Sequence, residues 1–581
     1  MPSVAYFTME IGVDPSIPTY SGGLGMLAGD SIRSAADLGL PMVAVSLVSR
    51  RGYFRQRLDH GWQREEPMDW PVEQFMKPTN ARVTVTMAGR AVRVTAWRYD
   101  VRGCSGAVVP VYFLDTRLPE NHPDDQAITD WLYGGDQRYR LRQEAILGVG
   151  GVRILRALGL RDLNRFHMNE GHAALLVAEL LQERMRARDD DTHVTPDDIA
   201  SVRKLCVFTT HTPVPAGHDR FSRDLVRELF GPREAFEKSG LFEHDGQLNM
   251  TYAALNLSHY VNGVARKHGE VSREMFPQYA IDSITNGVHL ATWASPELKA
   301  LFDRYIPEWR ADNFALRHAL AIPAAAVWEA HQAAKERLLA RVKDLVGASL
   351  DPNAYTLGFA RRATPYKRAD LLLSDPDRLA AISRTVGPLQ IIYAGKAHPN
   401  DGGGKDLIHK IHDAADALRG RLNLVYLPDY DFDLCRHMVA GCDTWLNTPQ
   451  PPLEASGTSG MKAAVNGVPH FSILDGWWIE GCVEDVTGWA VDGPPVPALT
   501  DRRTTDARSL YDKLETRILP TYYHDREVWL NIMRQCIALN ASHFNTQRMM
   551  QQYVVNAYFR GEPPANRAST EHAPRRGPGI S

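Results

Sequence analysis

Short apolar segments alternate along the chain with longer amphipathic stretches, which is typical of strands and helices that follow one another. In the first half, apolar segments predict buried strands at 4–9, 41–48 and 205–210. Longer stretches predict helices at 138–158 and 171–187. Alternating apolar and polar positions over 82–99 predict an antiparallel hairpin beside the main sheet.

The second half repeats the pattern more regularly. Runs of apolar residues alternate with helical stretches and predict strands at 355–360, 390–394, 422–427, 443–447 and 470–474. Such alternation favours a parallel, doubly wound sheet. We therefore predict an α/β protein of two Rossmann-like domains that face each other across a cleft. We place the domains at 1–287 and 288–545, followed by a terminal helix at 546–560 and a disordered tail at 561–581.

Composition narrows the function classes. The 581 residues are 44% hydrophobic and 23% charged, with a formal net charge of −3. This balance excludes a polycationic surface that wraps nucleic acid, and no apolar run is long enough to span a membrane. The six cysteines show no metal-binding spacing, and the first residues do not resemble a signal peptide. We expect a cytoplasmic enzyme.

Two segments have the composition of anion-binding sites. Ser21-Gly22-Gly23-Leu24-Gly25 lies between a predicted strand and a predicted helix, where free N–H groups can bind an oxyanion. A plain tight turn is the alternative. Arg361, Arg362, Lys367 and Arg368 lie within eight residues, directly after the strand 355–360. Cations at the carboxyl end of a parallel strand suit phosphate oxygens, and a solvated basic loop is the alternative.

A third segment, 454–467, brings small residues and hydroxyls to the start of a predicted helix that contains Lys462 among apolar neighbours. A lysine in apolar surroundings has a lowered pKa, which suits imine formation with an aldehyde cofactor. The alternative is a lysine whose side chain extends to the surface. Another glycine-rich segment, Gly402-Gly-Gly-Lys405, lacks the spacing of a nucleotide-binding loop, and we expect a flexible loop there.

Together these segments resemble the α-glucan phosphorylases, the family of glycogen, starch and maltodextrin phosphorylases. Glu454-Ala-Ser-Gly-Thr-Ser-Gly-Met-Lys462 resembles that family's pyridoxal-phosphate lysine signature. Other pieces follow in the family's order: Tyr6–Glu10, Ser21–Gly25, Asn169–His172, Phe208–Thr212, Val261–Ala265, Thr285–Gly287, Tyr366–Arg368, Gly395–Ala397 and Leu474–Gly476. The resemblance covers about residues 4–560. Departures at Thr210, Ser459-Gly460 and Trp477-Trp478 are similar to the shorter bacterial and archaeal branch.

The resemblance implies a GT-B glycosyltransferase architecture with the cofactor between the domains and the last helices crossing back to the first domain. It implies that Lys462 holds pyridoxal 5'-phosphate as a Schiff base. By motif position it further implies that Arg361, Thr458 and Ser459 contact the cofactor phosphate and that Trp293 and Tyr430 pack around the cofactor ring. The substrate phosphate would be bound by Gly23, Arg362 and Lys367. The glucosyl unit would be held by His211, Asn286, Glu454, Ser456 and Gly457.

The implied activity is phosphorolysis of α-1,4-glucans or maltooligosaccharides by inorganic phosphate, with retention, to give glucose 1-phosphate. The cofactor phosphate would act as the acid/base group. A homodimer would be typical of the family. Because Tyr6 comes so early, we expect no regulatory N-terminal extension and no allosteric control. No metal is expected, because the segment 167–172 lacks H-E-x-x-H spacing.

Two other functions stay open. The glycine segment also resembles the donor-phosphate loop of nucleotide-sugar-dependent glucan synthases. Many such transferases carry an acid eight residues after the position of Glu454, where this chain has Lys462. A glycan-binding protein without activity is the other alternative. Trp477-Trp478 fits either a core position or a sugar-stacking surface.

Overall fold

The computed structural model describes residues 3–214, 217–492 and 502–559, so the tail predicted to be disordered, 561–581, lies outside the described residues. The strands are β1 Val4–Phe7, β2 Met42–Leu47, β3 Arg55–Asp59, β4 Trp62–Glu66, β5 Lys77–Met87, β6 Arg90–Arg102, β7 Val108–Asp115, β8 Arg165–Asn169, β9 Cys206–Thr209, β10 Arg220–Ser222, β11 Glu243–His244, β12 Gln247–Asn249, β13 Tyr260–Gly263, β14 Asp282–Ser283, β15 Tyr355–Ala360, β16 Leu389–Ala394, β17 Asn423–Leu427, β18 Thr444–Asn447, β19 His470–Ile473 and β20 Gly488–Val491.

The α-helices are α1 Gly23–Asp37, α2 Val72–Phe75, α3 Pro123–Gln126, α4 Gln137–Ala145, α5 Gly151–Ala157, α6 Leu176–Ala187, α7 Pro196–Leu205, α8 Arg223–Phe230, α9 Glu234–Ser239, α10 Met250–Asn256, α11 Arg266–Met275, α12 Leu290–Trp293, α13 Pro296–Tyr305, α14 Ala324–Val346, α15 Pro376–Thr385, α16 Gly402–Ala417, α17 Phe432–Gly441, α18 Ser459–Val465, α19 Trp478–Gly481, α20 Arg503–Lys513, α21 Leu519–His524, α22 Arg526–Gln535 and α23 Thr546–Tyr553. π-helical segments follow four of them, at Ile146–Gly150, Leu514–Ile518, Cys536–Ala541 and Val554–Tyr558.

The sheet of the N-terminal half has the strand order β14-β13-β9-β8-β1-β2-β7-β6-β5. Strands from β14 to β7 pair in parallel, and β6 and β5 extend the edge as an antiparallel hairpin. The strands β1 and β2 are buried at every position and, apart from Ser46, consist of apolar residues, as expected for strands covered by helices on both faces. The hairpin predicted at 82–99 is present and is longer than predicted.

The sheet of the C-terminal half has the order β17-β16-β15-β18-β19-β20, and its neighbours all pair in parallel. Counted within this sheet, the order is that of a Rossmann fold, 3-2-1-4-5-6. The central parallel strands of the first sheet follow the same order around β1. The predicted class, two Rossmann-like α/β units, is therefore confirmed. In such sheets ligands bind at the carboxyl ends of the strands where the order reverses.

Two elements cross between the halves. The hairpin β3–β4 leaves the N-terminal half and lies against the segment that follows β16. Helix α23 returns from the C-terminal end to the N-terminal half, where the Thr546 hydroxyl lies 2.6 Å from that of Ser34 in α1. The segment after α23 continues this contact, since the Tyr558 hydroxyl is 2.7 Å from His167 Nδ1 on β8. The boundaries given for the domains stay a prediction.

Across the described ranges, none of the helices combines the length and the apolar composition that crossing a bilayer requires.

Candidate active site

The glycine segment is held by a buried carboxylate from the end of β1. Glu10 Oε2 accepts hydrogen bonds from the main-chain N–H groups of Ser21 (2.6 Å) and Gly22 (3.2 Å), and Tyr133 donates its hydroxyl to Oε1 (3.0 Å). Helix α1 then begins at Gly23. A Cβ built on Gly22 or Gly23 would meet no atom within 4 Å, so the loop faces open space. Its free face and the positive end of α1 suit an anion.

The cationic segment after β15 forms a second half of the site. Arg361 Nη1 lies 2.9 Å from Glu454 Oε2 and also contacts the Asn447 side chain, while Lys367 Nζ lies 2.5 Å from the same Glu454 oxygen. Burial raises the pKa of Glu454, but the two cations outweigh this and hold it at about 2. The three charges leave one positive charge in excess, and the cluster therefore favours an anionic ligand.

Arg362 extends toward the N-terminal half. Its side chain is exposed and lies within electrostatic range of the Tyr53 and Tyr366 hydroxyls and of the Glu10 carboxylate. Glu10 is the group that anchors the glycine segment. The structure therefore places Arg362, of the C-terminal half, near the carboxylate that anchors the segment containing Gly23.

Lys462 is buried, with 5% of its surface exposed, so the alternative in which it extends to the surface is wrong. Its ammonium nitrogen is 3.8 Å from the centroid of the Trp293 ring. Within the described ranges this ammonium forms no ion pair or hydrogen bond. Trp293 is itself fixed, because its Nε1 donates to Asp30 Oδ2 on α1 at 2.6 Å. A buried amine on an aromatic ring, with no ion pair or hydrogen bond among the described residues, fits covalent attachment to an aldehyde-bearing aromatic cofactor.

Tyr430 connects the lysine pocket to the cationic cluster. Burial, followed by the neighbouring Cys435 thiol, raises the pKa of its hydroxyl well above the usual value, while nearby Arg361 acts in the opposite direction. The Cys435 thiol in turn interacts with the Lys462 ammonium. The lysine and the arginine therefore both lie near the Tyr430–Cys435 pair. At the start of α18, the Ser459 hydroxyl accepts a hydrogen bond from Trp445 Nε1 at 3.0 Å.

The turn that begins at Glu454 joins residues from both halves. Asn286 Nδ2 donates to the Ser456 hydroxyl at 3.1 Å, and Asn286 Oδ1 is buried without a partner among the described residues. Gly457 has φ +83°, a conformation that favours glycine. Asp475 Oδ2 accepts the Glu454 N–H at 2.9 Å, and burial raises the pKa of Asp475 to about 7. The orphaned amide oxygen can accept a hydrogen bond from a hydroxyl-bearing ligand.

His211 is held from the N-terminal side of the cleft. Its N–H donates to Glu170 Oε2 at 2.7 Å, and its ring Nε2 lies 2.6 Å from Asn169 Oδ1. Burial lowers the pKa of His211 well below the usual value, so the ring is neutral at pH 7. Glu170 has φ +77°, which is unusual for a residue with a side chain and marks a strained position. Among the described contacts, His211 touches none of the other predicted site residues directly.

Sequence reasoning missed several polar partners. Asp30, Asn447 and Asp475 were given no role, although each contacts a predicted site residue. A usable signal existed for Asp30, which is the one charged side chain among the buried residues of α1. Trp477 and Trp478 are both buried in the C-terminal core, so their interpretation as a sugar-stacking surface is wrong.

A cavity of about 320 Å³ lies elsewhere, between α6, α8 and the π-helical segment after α4. Its walls include Val149, Leu175, Phe230 and Phe242, and no predicted site residue lines it. Nor do the described residues contain a group of three or more His, Cys, Asp or Glu side chains placed to hold a metal ion.

Comparison with known proteins identifies close relatives. Residues 219–487 match the model of a family described as carbohydrate phosphorylase. The chain is 38% identical to a maltodextrin phosphorylase of Thermococcus litoralis and 37% identical to a glycogen phosphorylase of Mycobacterium tuberculosis. Each alignment covers 96% of this chain and 70% of the relative. A glycogen phosphorylase of Aquifex aeolicus is 34% identical, over 96% of this chain and 86% of the relative.

Proposed function

The chain belongs to the carbohydrate phosphorylase family, and from this we propose that it is an α-1,4-glucan phosphorylase. It would transfer glucosyl units from the non-reducing end of an α-glucan or maltooligosaccharide to inorganic phosphate, giving glucose 1-phosphate with retention. One observation carries the proposal: the buried Lys462 and the Arg361–Glu454–Lys367 cluster both lie close to the neighbouring Tyr430 and Cys435. An amine and excess positive charge are therefore available near each other.

The cofactor we propose is pyridoxal 5'-phosphate, held covalently by Lys462. When bound, it supplies a phosphate group whose second pKa, about 6, lets it exchange a proton near neutral pH. Arg361, Thr458 and Ser459 would bind this phosphate, and Trp293 would pack against the ring. The stacking of the Lys462 ammonium on Trp293, at 3.8 Å from the ring centroid, supports that arrangement.

Tyr430 would complete the ring pocket, and the substrate phosphate would lie between the halves. Gly23 would donate its main-chain N–H, and Arg362 and Lys367 would bind phosphate oxygens. Two phosphate groups brought close together repel each other strongly unless cations and N–H dipoles surround them. The open space at Gly23 and the position of Arg362 near Glu10, which anchors the glycine segment, support this placement.

The sugar would be held by His211, Asn286, Glu454, Ser456 and Gly457. The unpartnered Asn286 Oδ1 is available to a sugar hydroxyl, and the neutral His211 ring can accept or donate a hydrogen bond without adding charge. Retention follows if phosphate enters on the face from which the glucan leaves. Retaining glycosidases instead use a carboxylate nucleophile with a second carboxyl acid. Glu454 is unsuited to that acid role, because its low pKa keeps it ionised.

The test is a phosphate-release assay. The protein is incubated with glucose 1-phosphate and a maltooligosaccharide, and we expect phosphate release that depends on the acceptor. Lys462→Ala serves as the matched control and should release none. Protein that carries its cofactor yet releases no phosphate would contradict the proposal. Release of a nucleoside diphosphate from a nucleotide sugar, with the same acceptor, would favour the synthase-type alternative instead.

We also propose a homodimer, as expected from the family resemblance. Light scattering during size-exclusion chromatography would test it, since a mass near 65 kDa would show a monomer.

A further inference from the structure

The hairpin β3–β4 presents an unusual face to the C-terminal half. Its outward positions carry charged side chains such as Arg57, whereas two of its inward positions carry Gln56 and Gln63, which are 1% and 6% exposed. A two-stranded hairpin is at best marginally stable alone. Buried amides cost free energy unless their donors and acceptors are satisfied. The hairpin must therefore gain its stability, and satisfy these amides, through docking.

Gln63 pairs with a single main-chain residue of the other half. Its Oε1 accepts the Ala397 N–H at 2.9 Å, and its Nε2 donates to the Ala397 carbonyl at 2.9 Å. The same Oε1 accepts a hydrogen bond from Gln56 Nε2 at 2.9 Å. The two glutamines thus form one network that covers the turn after β16.

Gln56 extends the network to the neighbouring strand end. Its Nε2 donates to the Gly395 carbonyl at 2.8 Å, directly after β16. Its main-chain N–H donates to Asp429 Oδ1 at 2.9 Å, and its Oε1 accepts the Asp429 N–H at 2.8 Å, shortly after β17. One side chain of the N-terminal half therefore connects two strand ends of the C-terminal sheet.

The turn held in this way is packed against the cationic segment after β15. The main-chain carbonyl of Lys396 accepts a hydrogen bond from the Ala363 N–H at 2.8 Å, and Ala363 forms a parallel β-bridge with Ala397. A Cβ added to Gly395 would lie 2.1 Å from the Arg361 carbonyl oxygen, so the two turns are in direct contact. A displacement of the 395–397 turn would therefore displace the main chain on both sides of Arg362.

We propose that Gln56 and Gln63 are positioning residues that hold the Arg361–Ala363 turn, so that the phosphate pocket is complete only when the hairpin is docked. The inference rests on the proposed role of Arg362 in binding the substrate phosphate. Hydrogen bonds to the main chain fix the turn on which Arg362 lies. A displacement of this turn would move the Arg362 guanidinium and weaken phosphate binding. Of the sugar-binding side chains, Glu454 is the one that contacts this turn among the described residues, through Arg361, and it is also held by Lys367 and Asp475. The others lie on other segments, so sugar binding depends less on this turn.

The experiment compares Gln63→Met and Gln56→Met, which keep the side-chain length and remove the amide, with Arg57→Met on the exposed face of the same hairpin. Arg57 is 60% exposed and pairs only with Glu66 among the described residues. In the phosphorolysis direction we expect each glutamine variant to raise the KM for phosphate about tenfold, while the KM for maltooligosaccharide stays within twofold. Arg57→Met should leave both values within twofold.

Hydrogen exchange provides a readout that does not depend on activity. Because Gln63 accepts the Ala397 N–H, Gln63→Met should speed exchange at Ala397 and at the adjoining Ala363 amide, and Arg57→Met should not. If Gln63→Met does not fold, Gln56→Met tests the same point through Gly395. Unchanged phosphate KM and unchanged exchange in the folded variants would overturn the inference.

Arg362→Ala separates this inference from the proposed function. If Arg362→Ala raises the phosphate KM and the glutamine variants do not, the positioning role is wrong and the phosphate role of Arg362 stands. If exchange at Ala363 speeds up in Gln63→Met while no variant changes the phosphate KM, the hairpin does hold the turn and the assigned role of Arg362 is wrong.

Discussion

Replacing Glu454 with glutamine removes the carboxylate that Arg361 and Lys367 share. Its Oε2 is 2.9 Å from the first and 2.5 Å from the second, and the residue is 7% exposed, so water cannot take its place. Burial raises its pKa, but the two cations outweigh burial and hold the value at about 2, against 4.5 for an unperturbed glutamate. Since one pKa unit is worth about 1.4 kcal/mol, the ionised carboxylate contributes about 3 kcal/mol to stability.

The direction of the Glu454 pKa shift determines how its contribution to stability changes with pH. The folded-state pKa lies below the unfolded one, so the contribution of Glu454 is complete above about pH 5 and is lost as the pH falls from 4.5 toward 2. At pH 7 the Glu454→Gln variant also leaves two cations side by side in a buried site. We therefore expect the full loss at neutral pH and a smaller difference between variant and wild type below about pH 4.

The assay is thermal unfolding followed by tryptophan fluorescence, to which the buried Trp445, Trp477 and Trp478 of the same half contribute. For a unit of about 250 residues, a loss of about 3 kcal/mol lowers the Tm by about 6–12 °C. Asp377→Asn is the control, because Asp377 is 83% exposed and its ion pair with Arg421 should be worth under about 1 kcal/mol.

Added inorganic phosphate gives a second readout. It supplies negative charge to the unpaired cations of Glu454→Gln, so it should raise the Tm of the variant more than that of the wild type. A variant that melts within about 2 °C of the wild type at pH 7 would refute the assigned electrostatic balance. So would an equal effect of phosphate on both proteins.

Lys462→Ala should lose the absorbance of the bound cofactor together with phosphate release; a variant that turns over at the wild-type rate would contradict the assigned role. Lys335→Met should lower the free energy of unfolding by about 3–5 kcal/mol in denaturant titrations, because it leaves the buried carboxylate of Asp443, 2.7 Å from Lys335 Nζ, without its cation. Adding Asp443→Leu should recover most of that loss, and no recovery would show that the pair is not the cause. Asp475→Asn should stabilise the protein, relative to the wild type, increasingly as the pH rises from about 4 to 7, with no further gain above that. Burial raises the folded-state pKa of Asp475 to about 7, so over this range the unfolded chain is ionised while the folded wild type still holds the proton. A Tm difference that does not change with pH would contradict this.

The buried parallel strands could be predicted from the sequence because they are apolar on both faces. β15 matches its predicted range, and β16 and β17 differ by a residue at their starts. The hairpin β3–β4 was missed because its inward residues are amides, so no hydrophobic alternation marks it. The segment 402–405, predicted to be a flexible loop, is the first turn of α16, where Asp401 Oδ1 accepts the Gly404 N–H at 2.8 Å.

The site residues, like the strands, could be predicted only where the local sequence marks them. The segments that carry Arg361, Lys367 and Lys462 are compact in sequence and could be found by their spacing. In the structure Arg361 and Lys367 share Glu454, and Arg361 and Lys462 lie near the Tyr430–Cys435 pair. Their partners depend on tertiary structure. Asp30 reaches Trp293 from a helix 263 positions away, and no local pattern connects the two residues.

The pKa values bear on where the reaction's proton comes from. A leaving glucan oxygen needs a donor that is still protonated near pH 7 and can lose that proton there. Among the side chains predicted to hold the sugar, Glu454 has a pKa of about 2, and burial holds the pKa of His211 far below neutrality, so neither carries a proton to give. Asp475 has a pKa of about 7, but both of its oxygens accept main-chain N–H groups and it is buried behind the Glu454 turn. With these side chains excluded, the proton is best supplied by a phosphate group bound beside the sugar. This requirement favours phosphorolysis over hydrolysis at this site, because hydrolysis would need a protonated carboxyl group where the structure has an ionised one.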